Sequence, residues 1–127
     1  MKQLQIILTS LLFSLSSFAA DLTDVKMTVT GMSVTMTNGK TTVKIGSDGK
    51  VSSMKFNSTE LLGSSGVYFD YTTSEGNKNL SPAKMEIIKQ TGEMCEVLYS
   101  ATSGNTIFQQ GYIMRNDITG IYTYVIA

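Results

Sequence analysis

From Met32 to Leu62 the chain alternates apolar and polar residues, broken by two turn signals, Asn38-Gly39 and Asp48-Gly49. Each is read as a two-residue hairpin turn, whose central residues need a positive φ that Asn, Asp and Gly tolerate best. The first turn then sets Met36 opposite Thr41, Val34 opposite Val43 and Met32 opposite Ile45. The second sets Val43 opposite Met54 and Thr41 opposite Phe56. Both registers gather Met32, Val34, Met36, Val43, Ile45, Met54 and Phe56 on one face. Ser33, Thr35, Thr37, Lys40, Thr42, Lys44, Ser53 and Lys55 fall on the other. Slipping either hairpin by one residue destroys this sorting, so the two turns support one another. The pattern predicts a three-stranded meander with one dry face and one wet face.

The flanking segments extend the same style. Val25–Thr30 reads as a first strand ended by Gly31, and Gly63-Ser64-Ser65-Gly66 as a turn after Leu61 and Leu62. Val67–Tyr71 is short and β-prone, with Val67, Phe69 and Tyr71 on one side. Thr72–Pro82 is polar, holds the single Pro, and reads as a long loop. Lys84–Gln90 and Glu93–Ser100 read as strands joined at Thr91-Gly92, in a register that sorts poorly. A Gly104-Asn105 turn does better, setting Ala101 opposite Phe108, Val97 opposite Tyr112 and Cys95 opposite Met114. That is a second apolar face, interrupted by Tyr99 and Gln110. Two dry faces cover one another most economically as layers, so the expected fold is an all-β antiparallel sandwich built from consecutive hairpins. No helical period is sustained beyond the first twenty residues.

The two ends change the picture. Lys2 precedes an apolar run, Leu4–Phe18, and Ser17-Phe18-Ala19 places small residues where an export signal is cleaved. Residues 1–19 are expected to be a signal peptide, leaving residues 20–127 as a single β-sandwich domain of a secreted or periplasmic protein. The run is short and Ser-rich for a membrane span, so no membrane association is expected once it is removed. A domain of that size buries roughly 60–65% of its unfolded surface, enough for a core without staples. At the other end the chain stops inside an apolar segment, Ile121–Ala127, which reads as a strand of something longer.

Composition mostly excludes. Ten basic residues balance ten acidic ones, with no basic stripe, so nucleic acid is not an expected partner. The chain has no His and one Cys, which removes the usual zinc and copper ligands, an internal disulfide and a Cys–His dyad. No metal or other cofactor is expected. Cys95 sits in an alternating run and reads as a small buried hydrophobe. A catalytic reading needs a nucleophile beside a base, a carboxylate pair or a metal, and none is evident. Glu86 and Glu96 fall on neighbouring strands, as a solvated sheet face explains. Three residues remain as candidate substrate contacts. Tyr122 and Tyr124 share a strand face and either stack on a sugar ring or pack in the core with bonded hydroxyls. Arg115 either forks onto a carboxylate such as a uronate's or anchors its own turn.

Met114-Arg115 followed by Gly120-Ile121-Tyr122-Thr123-Tyr124-Val125-Ile126 resembles the N-terminal domain of the rhamnogalacturonan lyases. Asn38-Gly39, Val43, Ile45, Gly49, Val51, Phe56-Asn57 and Leu61-Leu62 are similar to that domain's opening strands and to galactose-mutarotase-like β-sandwiches at large. The resemblance implies β-elimination of the pectin backbone and an acidic plant polysaccharide, or another glycan, as partner. In that family a Lys of lowered pKa and a His act as base and enolate stabiliser beyond the Tyr-Thr-Tyr strand. This chain ends at that strand and has no His, so no catalytic residue carries over. The resemblance therefore implies a portion inactive on its own, and the other reading is a free-standing secreted carbohydrate-binding or adhesion module.

Overall fold

A computed structural model describes residues 21–127, so the expected signal peptide lies outside the described residues. β1 (Lys26–Thr30), β2 (Ser33–Thr37), β3 (Thr41–Ile45), β4 (Val51–Phe56) and β5 (Thr59–Glu60) form a five-stranded antiparallel sheet in sequence order. β8 (Lys84–Gln90), β9 (Met94–Ser103), β10 (Thr106–Arg115) and β11 (Tyr122–Ile126) form a four-stranded antiparallel meander in the order β11-β10-β9-β8. Between them β6 (Asp70–Thr73) and β7 (Gly76–Asn79) make a separate hairpin. No helix occurs among the described residues. The all-β antiparallel sandwich expected from the alternation is the fold.

Its core is where the two predicted dry faces meet. Val34, Met36, Val43, Ile45 and Val51 come from one sheet, and Cys95, Val97, Tyr99, Ala101, Tyr112 and Met114 from the other. Each large side chain buried this way contributes roughly 1.5–3 kcal/mol. Three polar groups tie the layers. The Tyr99 hydroxyl donates to Met32 O (2.7 Å), the Tyr112 hydroxyl to Gly49 O (2.6 Å), and Asn38 Nδ2 to both Arg115 O and Ile118 O (2.9 Å each). The two tyrosine rings meet edge to face with centroids 6.1 Å apart.

Burial of these phenols has a consequence at high pH. Burial, helped by Asp48, pushes the Tyr99 hydroxyl up to about 12, and Tyr112 is raised further, by burial first and then by Tyr99 and Asp48. The folded state therefore keeps protons that the unfolded chain releases near pH 10. Their stabilisation is complete below about pH 10 and is lost as pH rises from about 10 through about 12, at roughly 2–3 kcal/mol for each hydroxyl. Urea unfolding measured from neutral to alkaline pH should show this fall, and Tyr112→Phe should flatten it while lowering stability at pH 7 by about 1–3 kcal/mol, because Gly49 O is left without a donor.

Most registers are as the turns predict. Val43 faces Met54, Thr41 faces Phe56, Ala101 faces Phe108, Val97 faces Tyr112 and Cys95 faces Met114. The first hairpin differs by two residues: Met36 faces Val43 and Val34 faces Ile45. Asn38 is the cause. Its side chain is wholly buried rather than exposed at a turn tip, and Oδ1 accepts from Thr41 N (2.9 Å) and Lys40 N (3.3 Å), which widens the connection. A shift of two preserves the faces. Beside the second turn a bulge sets Val51, not Ser52, opposite Ile45 and so brings Val51 into the core. Phe56, expected on the dry face, is 41% exposed and lies outside the core cluster, although its cross-strand partner Thr41 is buried.

Two further expectations change. The poorly sorting hairpin at Thr91-Gly92 is real, and a bulge at Ile88 explains it, since alternation reverses where the register slips between Ile87 and Lys89. The expected loop Thr72–Pro82 is instead largely hairpin, with Tyr71 facing Lys78 and Thr73 facing Gly76. Val67 makes only an isolated bridge to Val51, and Tyr71 is paired in β6. One side of this hairpin is exposed and the other only half-buried, by Tyr71, Thr73 and Lys78, so no apolar alternation marks it. It leans on the sandwich through Tyr71, stacked on Phe108 at 4.1 Å.

Candidate functional site

The outward face of the four-stranded sheet is built by register. Core residues of β10 are Gln110, Tyr112 and Met114, so Gln109, Gly111, Ile113 and Arg115 point the other way. Across the strands Lys89, Glu96, Ile113 and Tyr122 form one row; Glu86, Leu98, Gly111 and Tyr124 form the next. Tyr122 and Tyr124 are therefore outward and not part of the sandwich core, which corrects the packing alternative. The strand parity alone decides this.

The Tyr124 side chain crosses over Gly111. A Cβ added to Gly111 would clash with Cζ and Cε1 at the hydroxyl end of the Tyr124 ring and lie 2.6 Å from its hydroxyl oxygen. Only a glycine there lets the ring cross β10 and donate its hydroxyl to Glu96 Oε1 on β9 (2.5 Å). Burial, then the Glu96 carboxylate, pushes the Tyr124 phenol up to about 12, so it stays the donor throughout the physiological range. Tyr122 is 49% exposed and faces Ile113, leaving an open aromatic face in the row beside Arg115.

Arg115 closes β10. Its Nε donates to Asp117 Oδ1 (2.9 Å) and its Nη2 to Asp117 Oδ2 (2.8 Å), a two-pronged pair across the turn into β11. The Asp117 carboxylate raises the Arg115 pKa, and the guanidinium in turn holds Asp117 below the usual carboxylate range. Lys89, Glu93, Met94, Arg115, Asn116 and Asp117 line an open cleft of about 370 Å³ at this end of the sheet. Two of Arg115's five donors are engaged, and its side chain remains half exposed.

The structure thus brings Arg115, Tyr122 and Tyr124 onto one face, within two rows of each other. Reading the sequence missed Lys89, Glu96 and Gly111 as their neighbours. Gly111 carried a signal, being a lone glycine inside a strand of bulky residues, which marks a close approach. Lys89 was hidden by the Ile88 bulge that carries it to the outer side. Among the described residues no group of His, Cys, Asp and Glu is arranged to hold a metal ion. Glu96 accepts from a phenol, and the chain offers no imidazole for proton transfer.

Comparison with known proteins bears on what this face belongs to. A rhamnogalacturonate lyase of Dickeya dadantii (strain 3937) is 30% identical over 115 residues, covering 81% of this chain. The chain is a relative of a rhamnogalacturonate lyase. It spans 20% of the length of that lyase. The match bears out the resemblance carried by the Tyr-Thr-Tyr strand and the opening hairpins. No protein-family model matches the chain, and no solved structure does. No helix of the described residues is long and apolar enough to cross a membrane.

Proposed function

We propose that this chain is the N-terminal β-sandwich portion of a secreted rhamnogalacturonan-lyase-like protein, which works in degradation of the pectin backbone by β-elimination. Residues 1–19 serve as its export signal, and residues 20–127 carry no lyase activity alone. The observation that carries this reading is the 30% identity to a rhamnogalacturonate lyase over 81% of the chain. The absence of any His supports the inactivity, since elimination needs a base for the proton beside the uronate carboxylate and a positive group for the developing enolate.

The part played by this portion is contact with an acidic polysaccharide on the outward sheet face. Tyr122 supplies an open ring for a sugar's apolar side, Tyr124 a braced edge beside it, and Arg115 spare N–H donors for a uronate carboxylate. Titrating the full chain with rhamnogalacturonan oligosaccharides by NMR should move the β10 and β11 amide signals. Tyr122→Ala should weaken binding about ten-fold, the worth of one lost aromatic contact. Ultraviolet absorbance from unsaturated uronates should stay flat. Shifts confined elsewhere on the molecule would refute the assigned face, and rising absorbance the claimed inactivity.

A further inference from the structure

Asn38-Gly39 is the only Asn-Gly step in the chain; the other asparagines are followed by Ser58, Lys78, Leu80, Thr106 and Asp117. Such a step is chemically labile, because no side chain shields the glycine nitrogen from the neighbouring amide carbon. The fold nevertheless fixes both residues, each for its own reason. Asn38 is wholly buried, its Nδ2 given to Arg115 O and Ile118 O and its Oδ1 held by Lys40 N and Thr41 N. Gly39 has a φ of 87°, and an added Cβ would lie 2.6 Å from Asp21 O and 3.0 Å from the Thr23 side chain. Folding also withholds the reaction. Gly39 N is bonded to Thr37 Oγ1 (3.3 Å), and turning the Asn38 amide toward it would break the four side-chain bonds. The contacts that close the step all lie within residues 21–118.

We propose that Asn38-Gly39 is a latent deamidation site, shut by folding and open whenever the two sheets separate, which makes unfolding progressively irreversible. In the unfolded chain Gly39 N gives its proton to hydroxide and attacks Asn38 Cγ. The Cγ–Nδ2 bond breaks, and the nitrogen leaves as ammonia with a proton taken from water. Water then opens the resulting cyclic imide at either of its C–N bonds. Opening at Cγ leaves an aspartate at this position; opening on the main-chain side leaves an isoaspartyl linkage, whose backbone runs through Cβ. No electrons change hands, since an amide and water become an acid and ammonia. Neither product can rebuild the clamp. Aspartate has no N–H for Arg115 O and Ile118 O, and would bury a carboxylate against those carbonyl oxygens. The isoaspartyl linkage adds a backbone atom and destroys the local geometry that sets Lys40 N and Thr41 N on Oδ1.

Holding the full chain in mildly alkaline buffer, with and without urea above its unfolding midpoint, tests this. Peptide-mapping mass spectrometry reads conversion at Asn38, and enzymatic methylation reads isoaspartate. A peptide spanning Thr35–Thr42 in the same buffers corrects for any effect of urea itself. Conversion in the native protein should be at least about a hundred-fold slower than in urea, because only the opened fraction, roughly 10⁻³ or less, can react. Once urea is removed, ion exchange separates the converted chains by their added negative charge. These should show weaker near-UV circular dichroism and a lower melting temperature than unconverted chains from the same sample. A corrected native rate equal to or above that in urea overturns the proposal. So does an Asn38 that stays unreactive in urea, or converted chains that refold to the melting temperature of the parent.

Discussion

Asn38→Ala is expected to be the most destabilising single substitution outside the apolar core, costing about 3–4 kcal/mol. The side chain is fully buried and makes four hydrogen bonds, two given to Arg115 O and Ile118 O and two received from Lys40 N and Thr41 N. Alanine leaves the two carbonyls without their donor, and each such loss in a buried setting costs about 1–3 kcal/mol. The longer Lys40 bond, at 3.3 Å, adds little. The melting temperature should fall by about 12 °C or more, as a domain near 100 residues loses 4–8 °C per kcal/mol. Asn38→Asp separates the two halves of the residue. It keeps the acceptor for Thr41 N and removes the donor, so it should also destabilise strongly. If calorimetry shows either variant melting within a few degrees of the parent, the clamp has been misjudged.

Gly111→Ala should remodel the outward face while sparing the core. The new methyl cannot coexist with the Tyr124 ring, which must swing off β10 and release Glu96. Losing that packing and the hydroxyl–carboxylate bond is expected to cost about 2–3 kcal/mol. A double-mutant cycle isolates the cause. In a Tyr124→Ala background the same Gly111→Ala change should cost under about 1 kcal/mol, because nothing remains to clash. Equal penalties in both backgrounds would place the strain in the β10 backbone instead. The cycle also separates fold from function: glycan binding lost on Gly111→Ala while far-UV circular dichroism shows the variant still folded at the assay temperature would give Tyr124 a direct contact role.

Much of this architecture could be read along the chain. The meander Met32–Phe56 was legible because one face is wet and one is dry, so each side chain reports its face. Gly104-Asn105 gave the correct β9–β10 register because the turn there is the two-residue type that the dipeptide favours, closed by Ser103 and Thr106. Asn38-Gly39 misled by the same logic. Local turn chemistry competes there with two main-chain carbonyls some eighty residues away, and the distant partners win. The β6–β7 hairpin was illegible because its half-buried side is made by Tyr71, Thr73 and Lys78, so burial there does not follow apolar character and alternation has little to record. Tyr122 and Tyr124 were picked out as a pair, but their side of the sheet depended on the neighbouring strand's parity. Lys89 could not be placed until the bulge before it was seen.

The three polar ties between the layers share one trait. Tyr99, Tyr112 and Asn38 all end on peptide oxygens, at Met32, Gly49, Arg115 and Ile118, and never on another side chain. Every residue type offers that acceptor, so Met32, Arg115 and Ile118 can change side chain without losing their ties as long as the backbone keeps its path, whereas Gly49 is held by its own φ of 75°. Holding three donors in place is thus enough to keep the layers registered.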